Sequence, residues 1–181
     1  MAVKRKPGNV ARKRPTKAPI EIDVIIETPK GSRNKIKYDA SSGKFKLSKV
    51  MPEGMLFPYD FGFVPATRAP DGDPLDVLVL TDEPLFPGCL VECTLIGAIK
   101  AEQKEKGHRN GNRNDRLIAV ATQSLLYSQM KTLADVNPKI LEQIEAFFIN
   151  YQKVRGIEVT IRGRAGSPAA RQILAAAEND S

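Results

Sequence analysis

The sequence predicts a mainly β fold with helices added late, an α+β class built on a small OB-like β-barrel. Three observations predict it. Short runs that are β-branched or alternate in polarity recur from residue 22 onward, separated by Gly, Pro and Asn turn signals. Helical periodicity is confined to two segments in the last third of the chain. A series of short strands exposes many edges, and a sheet that closes on itself removes them.

The elements follow in chain order. IDVIIETP (22–29) is rich in β-branched residues and ends at Pro29. KIKYDAS (35–41) alternates, Gly43 turns the chain, and KFKLSKV (44–50) returns as the second arm of a hairpin. DVLVL (76–80) reads as a buried strand, and LVECTLIGAIKAE (90–102) is long enough to bend. The polar stretch QKEKGHRNGNRN (103–114) interrupts, with Gly107 and Asn110-Gly111 as turn signals. DRLIAVAT (115–122) and EVTIRG (158–163) complete the strands. Asn137 caps and Pro138 opens a helix whose Ile140, Ile144, Phe147, Phe148 and Tyr151 share one face. Ser167 caps and Pro168 opens a second helix, PAARQILAAAE.

A chain of 181 residues, 41% hydrophobic and 27% charged, fits one globular domain with a real core. No apolar run reaches the ~18 residues of a membrane span. No secretory h-region follows the basic N-terminus, so the cytoplasm is the expected compartment. Cys89 and Cys93 lie four residues apart in an extended segment, about 13 Å, which is too far for a disulfide. With His108 the only histidine, a structural zinc site is not expected.

The charge is unevenly placed. Residues 1–20 carry Lys4, Arg5, Lys6, Arg12, Lys13, Arg14 and Lys17 and no acid. That +7 equals the net charge of the whole chain, so residues 21–181 form a neutral body behind a basic arm. Pro7, Pro15 and Pro19 argue against a helix in the arm, which reads as solvated or as packed on a partner subunit. A nucleic-acid binder of the OB type would want stacking aromatics along a basic groove. This body lacks Trp and places its aromatics among apolar residues, so nucleic acid is not an expected partner.

The chemistry concentrates in DGDPLD (71–76), which gathers Asp71, Asp73 and Asp76 in one tight turn. Gly72 lets the backbone turn and Pro74 holds Asp73 extended, so Asp71 and Asp76 can converge. An all-oxygen cluster of this kind suits Mg²⁺, and the pattern lacks the Gly and closing Glu of an EF-hand loop. An ordinary solvated turn is the competing reading of these six residues alone.

Set among VIIETP with Glu27, IKYD with Lys37, GMLFPYDFGFVP and NDRLIAVA, the D-G-D-P-L-D-V core strongly resembles the signature of the family I soluble inorganic pyrophosphatases. The resemblance runs from about residue 20 to about 178. It implies a five-stranded OB-like barrel with flanking helices and Mg²⁺-dependent hydrolysis of pyrophosphate to two phosphates, with Mn²⁺ as a substitute ion. It also implies a homo-oligomer, with a hexamer favoured. It assigns metal ligation to Asp71 and Asp76, water activation to Asp73, an outer metal role to Glu27, phosphate binding to Lys37 and substrate contact to Tyr151. An ungapped alignment sets Asn114 at a family aspartate and Arg116 at a family lysine; Asp115 takes the metal role only with a local backbone shift. Lys49 stands where the family has an arginine, Asp39 where it has a glutamate, Gln152 where it has a lysine, and Gln103 aligns nearest to a loop aspartate. Phe57 and Phe61 replace tyrosines, and Tyr59, two residues from Phe61, is a candidate substitute hydroxyl.

Each assignment has a plainer counterpart. Glu27 and Arg116 would otherwise be surface charges, Lys37 and Lys49 sheet-edge charges, and Tyr151 a core residue. Phe57, Phe61 and Phe63 are expected to pack the barrel. The alternative function is a pyrophosphatase-like protein of weak or altered activity, acting on another phosphate or serving a binding or regulatory role.

Overall fold

The computed structural model describes residues 18–107 and 111–180. Most of the basic arm, His108 and Arg109 therefore lie outside the described residues. Nine strands and two helices follow in order: β1 Glu21–Thr28, β2 Asn34–Asp39, β3 Lys44–Val50, β4 Asp60–Phe63, β5 Asp76–Leu80, β6 Leu90–Glu105, β7 Asn112–Arg113, β8 Arg116–Ala121, α1 Pro138–Lys153, β9 Ile157–Gly166 and α2 Ser167–Asn179. The α+β class expected from the sequence is the class found.

Five strands pair in a closed ring, β1–β4–β5–β8–β6 and back to β1. All the pairs are antiparallel except β5–β8, which run side by side. The length of β6 explains how closure is achieved. It pairs with β1 at its start, with β8 in its middle and with β9 to its end, and the register shifts between Leu95 and Gly97 and between Lys100 and Ala101. Such irregularities bend a strand and increase its twist. β2 and β3 form a separate two-stranded sheet.

Strand β4 carries no alternating pattern of its own, and sequence reading found only the FPYDFGF block there. Its pairing with β1 depends on Gly62. A Cβ at that position would lie 2.1 Å from the carbonyl oxygen of Ile25, so the close approach of the two backbones excludes every side chain.

The ring strands are buried on both faces, which explains their continuous apolar runs. Val24, Ile26, Val77, Val79, Leu95, Leu117 and Ala119 gather with Ala170, Leu174 and Ala177 of α2. Leu78, Leu80, Ile96, Ile99, Ile118 and Val120 gather with Phe57, Phe61 and the Leu141, Ile144, Phe148 and Tyr151 face of α1. Phe57, Phe61 and Phe63 are buried as expected. Asn137 caps α1 as predicted, its side chain accepting from Lys139 N at 2.9 Å. Ser167 is the first helical residue of α2 rather than its cap, and its hydroxyl donates to Ile96 O. Both cysteines are free. Among the described residues no helix is long and apolar enough to cross a membrane.

Candidate active site

The acidic turn connects β4 to β5. Its backbone is held from within: the buried Thr67 hydroxyl donates to Val64 O and accepts from Leu75 N, and Ala69 N donates to Asp73 O at 2.8 Å. Gly72 sits at φ +88°, the left-handed region that glycine enters at least cost. Asp71 and Asp73 are left on the exposed side of the turn, while Asp76 begins β5. Because β5 and β8 are parallel, with Val77 opposite Leu117, the residues that enter them arrive at the same end of the ring. Asp76 therefore meets Arg116, Oδ2 to Nε 3.9 Å, and Asn114 donates its amide to Asp71 Oδ2 at 2.7 Å.

The β2–β3 hairpin is fixed beside this group by the end of β1. Tyr38 N donates to Glu27 Oε1 at 2.6 Å, and Thr28 Oγ1 both accepts from Ile36 N and donates to Ile36 O. Period-two alternation then sends Lys35 and Lys37 to one face. Lys37 Nζ reaches Asp73 Oδ2 at 2.7 Å. Lys35 pairs across the hairpin with Lys49, and its ammonium lies 5.0 Å from the centre of the Phe61 ring and 5.4 Å from that of Tyr151.

The third wall is α1. Tyr151 is buried, 4% exposed, and stacks on Phe147 with ring centres 5.9 Å apart. Arg155 follows the helix, with its guanidinium 5.7 Å from the Tyr151 ring centre, and donates to the buried Gln152 Oε1 at 2.6 Å. Arg116 lies 4.2 Å from the Phe148 ring centre and donates to Asn114 O. Among the described residues, Tyr151 Oη and Arg116 Nε are buried without a hydrogen-bond partner. Buried polar atoms are rarely left so, and each calls for an explanation.

The electrostatics divide along the same lines. Burial raises the carboxyl pKa of Glu27, against the bond from Tyr38 and the charge of Lys35. Burial also raises that of Asp76, against Arg116 and Lys35, and each of these two carboxyls or its acidic neighbours adds repulsion. On the other wall, burial lowers the Lys49 pKa, and Arg155, Lys35 and Lys37 lower it further by repulsion. Burial alone would lower Lys37, but the bond from Asp73 outweighs it and the pKa is raised. Burial lowers Arg116 while Asp76, Tyr151 and Asp71 oppose the shift. Carboxyls held above their ordinary pKa want a cation, and cations crowded against one another want an anion.

Glu27, Asp71, Asp73, Asp76, Lys37, Lys49, Arg116 and Tyr151 are thus linked to one another by contact or charge. Two expected residues stand apart. Asp115 is buried, and its oxygens accept from Ala101 N at 3.1 Å and from Arg113 Nε at 2.6 Å. The backbone shift that would bring it forward is not adopted, and Asn114 faces Asp71 instead. Tyr59 precedes β4 and packs on the α1-side cluster, where burial and then Tyr127 raise its phenol pKa. Asp39 is engaged in its own turn, bonded to Ser41, Ser42 and Lys46, which lower its pKa. Lys35 and Arg155 are site residues that sequence reading missed. The K-I-K alternation could have found Lys35, since it places residues 35 and 37 on one face; nothing in the sequence points to Arg155.

Among the described residues, no three Asp, Glu, His or Cys side chains converge closely enough to cage a metal. Mg²⁺ needs no such cage. It takes one or two carboxylates and keeps waters and substrate oxygens for the rest. Asp71 and Asp76 offer that donor set, with Glu27 behind them, and the raised pKa of Asp76 and Glu27 marks negative charge that the protein has not fully offset. The residues fit the ion.

The sequence profile of the family described as inorganic pyrophosphatase matches residues 24–180. The inorganic pyrophosphatase of Methanosarcina acetivorans is 38% identical over 156 residues, 86% of this chain and 89% of that one. That of Nostoc is 38% identical over 133 residues, 74% of this chain and 75% of that one. The crystal structure of the inorganic pyrophosphatase from Thermus thermophilus superposes with a TM-score of 0.82 at 34% identity, covering 91% of this chain and 93% of that one. The acidic turn, the facing lysines and the ring that sets them opposite each other are therefore those of a member of the inorganic pyrophosphatase family, to which this chain belongs.

Proposed function

We propose that the chain hydrolyses inorganic pyrophosphate to two phosphates, with Mg²⁺ as its ion and Mn²⁺ as a substitute. One observation carries the reading: unsatisfied carboxyls on the β1 and β5 side face a cluster of mutually repelling cations across one site. Pyrophosphate with a divalent ion is a species that answers both imbalances. Asp71 and Asp76 would hold the ion, with Glu27 in an outer role. When bound, such an ion neutralises substrate charge and makes water more acidic.

The chain's own residues do the rest. Asp73 orients the attacking water and accepts its proton, and Lys37, which touches Asp73, holds the phosphate under attack. Lys49 and Arg116 bind the departing phosphate as the bridging P–O bond breaks and its oxygen gains charge. Arg116 Nε and Tyr151 Oη, both without partners, donate to phosphate oxygens. The reaction asks mainly for positioning and charge, as phosphoryl transfer does generally.

The test is phosphate release from pyrophosphate, with and without Mg²⁺, by the native chain and by Asp76→Asn. Strong Mg²⁺-dependent turnover that collapses in the variant supports the reading. A folded native chain that releases no phosphate with either Mg²⁺ or Mn²⁺ overturns it.

The placement of Asn114 favours a second reading. An amide rather than a carboxylate faces Asp71, and Asp115 is committed elsewhere, so the site offers fewer free carboxylates. A weak or altered activity, on another phosphate or in a binding or regulatory role, follows from that. A panel of phosphate esters and anhydrides assayed beside pyrophosphate separates the two. The reading also carries a cytoplasmic setting and a homo-oligomer, with a hexamer favoured. The exposure of Leu125 and Leu126, 83% and 73%, supplies apolar surface for such contacts; light scattering measures the mass.

A further inference from the structure

Three observations around Tyr151 remain unexplained by the roles above. Its hydroxyl is buried and has no partner among the described residues. Two cations, Lys35 and Arg155, come from different elements and lie against the same ring, at 5.4 and 5.7 Å. Neither forms an ion pair with a carboxylate among the described contacts. Lys35 is half-buried over Phe61 and Tyr151, and Arg155 is held only by the amide oxygen of Gln152. The hairpin register places Lys49 opposite Lys35, which adds a third cation to the same corner.

Ring contacts alone explain this corner poorly. A cation over an aromatic face is worth about 0.5–1 kcal/mol at an exposed site. Bringing cations together works against that gain, as the downward push on Lys49 by Arg155 and Lys35 records. Gln152 is buried beneath this arrangement and presents its carbonyl to Arg155, which fixes a guanidinium that would otherwise swing free. A cluster so built, beside a hydroxyl with nothing to bond, is prepared for a multiply charged anion.

We propose that Lys35 and Arg155 are substrate-binding residues, which clamp a phosphate group against the Tyr151 hydroxyl. The inference rests on the pyrophosphate reading and deepens it by adding two residues to the binding surface. It also accounts for the site's makeup. Phe61 supplies no hydroxyl, and the ammonium over its ring supplies a donor instead. Position 152 supplies no charge, and its amide positions the guanidinium three residues on.

The test measures binding of methylenediphosphonate, a non-hydrolysable pyrophosphate mimic, with Mg²⁺ by calorimetry, beside steady-state kinetics. Lys35→Met keeps the apolar stem over the rings and removes the charge. Arg155→Met does the same at an exposed position. Each is expected to weaken binding by roughly 10-fold or more and to raise KM, because hydrogen bonds to charged groups are worth about 1.5–3 kcal/mol. Lys35→Arg is expected to restore most of the loss. The thermal midpoint of Arg155→Met should match the native chain. If the native chain binds the mimic and both Met variants bind it equally well, the inference is overturned while the pyrophosphate reading stands. If a Met variant shifts only the thermal midpoint, the residue is structural and its share of the inference falls. If the folded native chain does not bind the mimic, both fall together.

Discussion

The acidic wall and the cationic wall of the site are built differently. The acids are anchored in the ring: Glu27 ends β1, Asp76 begins β5, and the turn between them and the core is tied by Thr67. The cations stand on parts added to the ring. Lys35, Lys37 and Lys49 come from the separate β2–β3 sheet, and Tyr151 and Arg155 from α1 and its end. The acids sit in places where a shift of one residue would turn a core side chain outward. The cations sit where a lysine can move to a neighbouring position and still reach the substrate. The lesson is that the acidic wall cannot drift in sequence, whereas the cationic wall can change its residues and keep its charge.

Substitutions can break this contrast. The largest loss is expected for Asp76→Asn, a fall in kcat of about 100-fold or more, since a carboxylate at the head of a ring strand has no neighbour able to replace it. If single lysine removals cost as much, the contrast fails. Gly62→Ala tests the ring itself. Its Cβ would meet Ile25 O at 2.1 Å, so a loss of about 3 kcal/mol is expected in urea unfolding.

A smaller effect of opposite sign is expected when the acids are studied without metal. Glu27 and Asp76 have pKa values above the ordinary 4.5 and 3.8. Between the unfolded and folded values the folded chain binds more protons, so stability falls as pH rises through that window. At neutral pH, Asp76→Asn should therefore stabilise the metal-free chain by about 1 kcal/mol. Below the ordinary carboxylate range the gain should vanish, which denaturant midpoints at the two pH values would show. The same shift predicts that metal-dependent turnover fails on acidification at a pH above the ordinary carboxylate range. The smallest effect belongs to Lys49→Arg, expected to change KM by about 3-fold or less, because the charge is kept and only its geometry changes.

Much of this was legible in the sequence. DGDPLDV stood out because a tight turn, a fixed φ and an apolar strand follow each other within seven residues. The helix that carries Tyr151 announced itself through its cap and its apolar face. Strand β4 was not legible, because its four residues pair on the strength of a missing side chain rather than a pattern. Nor was the choice between Asn114 and Asp115, which depends on Ala101 N and Arg113 claiming the carboxylate first. Arg155 was hidden for a similar reason. Its place over Tyr151 is set by a hydrogen bond from the following turn, and such a contact leaves no periodic trace.

The single parallel pair in the ring has a consequence for how such a site changes over time. Since β5 and β8 start at one end, two loops empty onto the same small area, and neither loop belongs to the core. A residue lost from one can be replaced from the other without repacking anything beneath. The strand pair acts as a socket with two interchangeable leads, so the reaction can be retuned while the fold stays as it was.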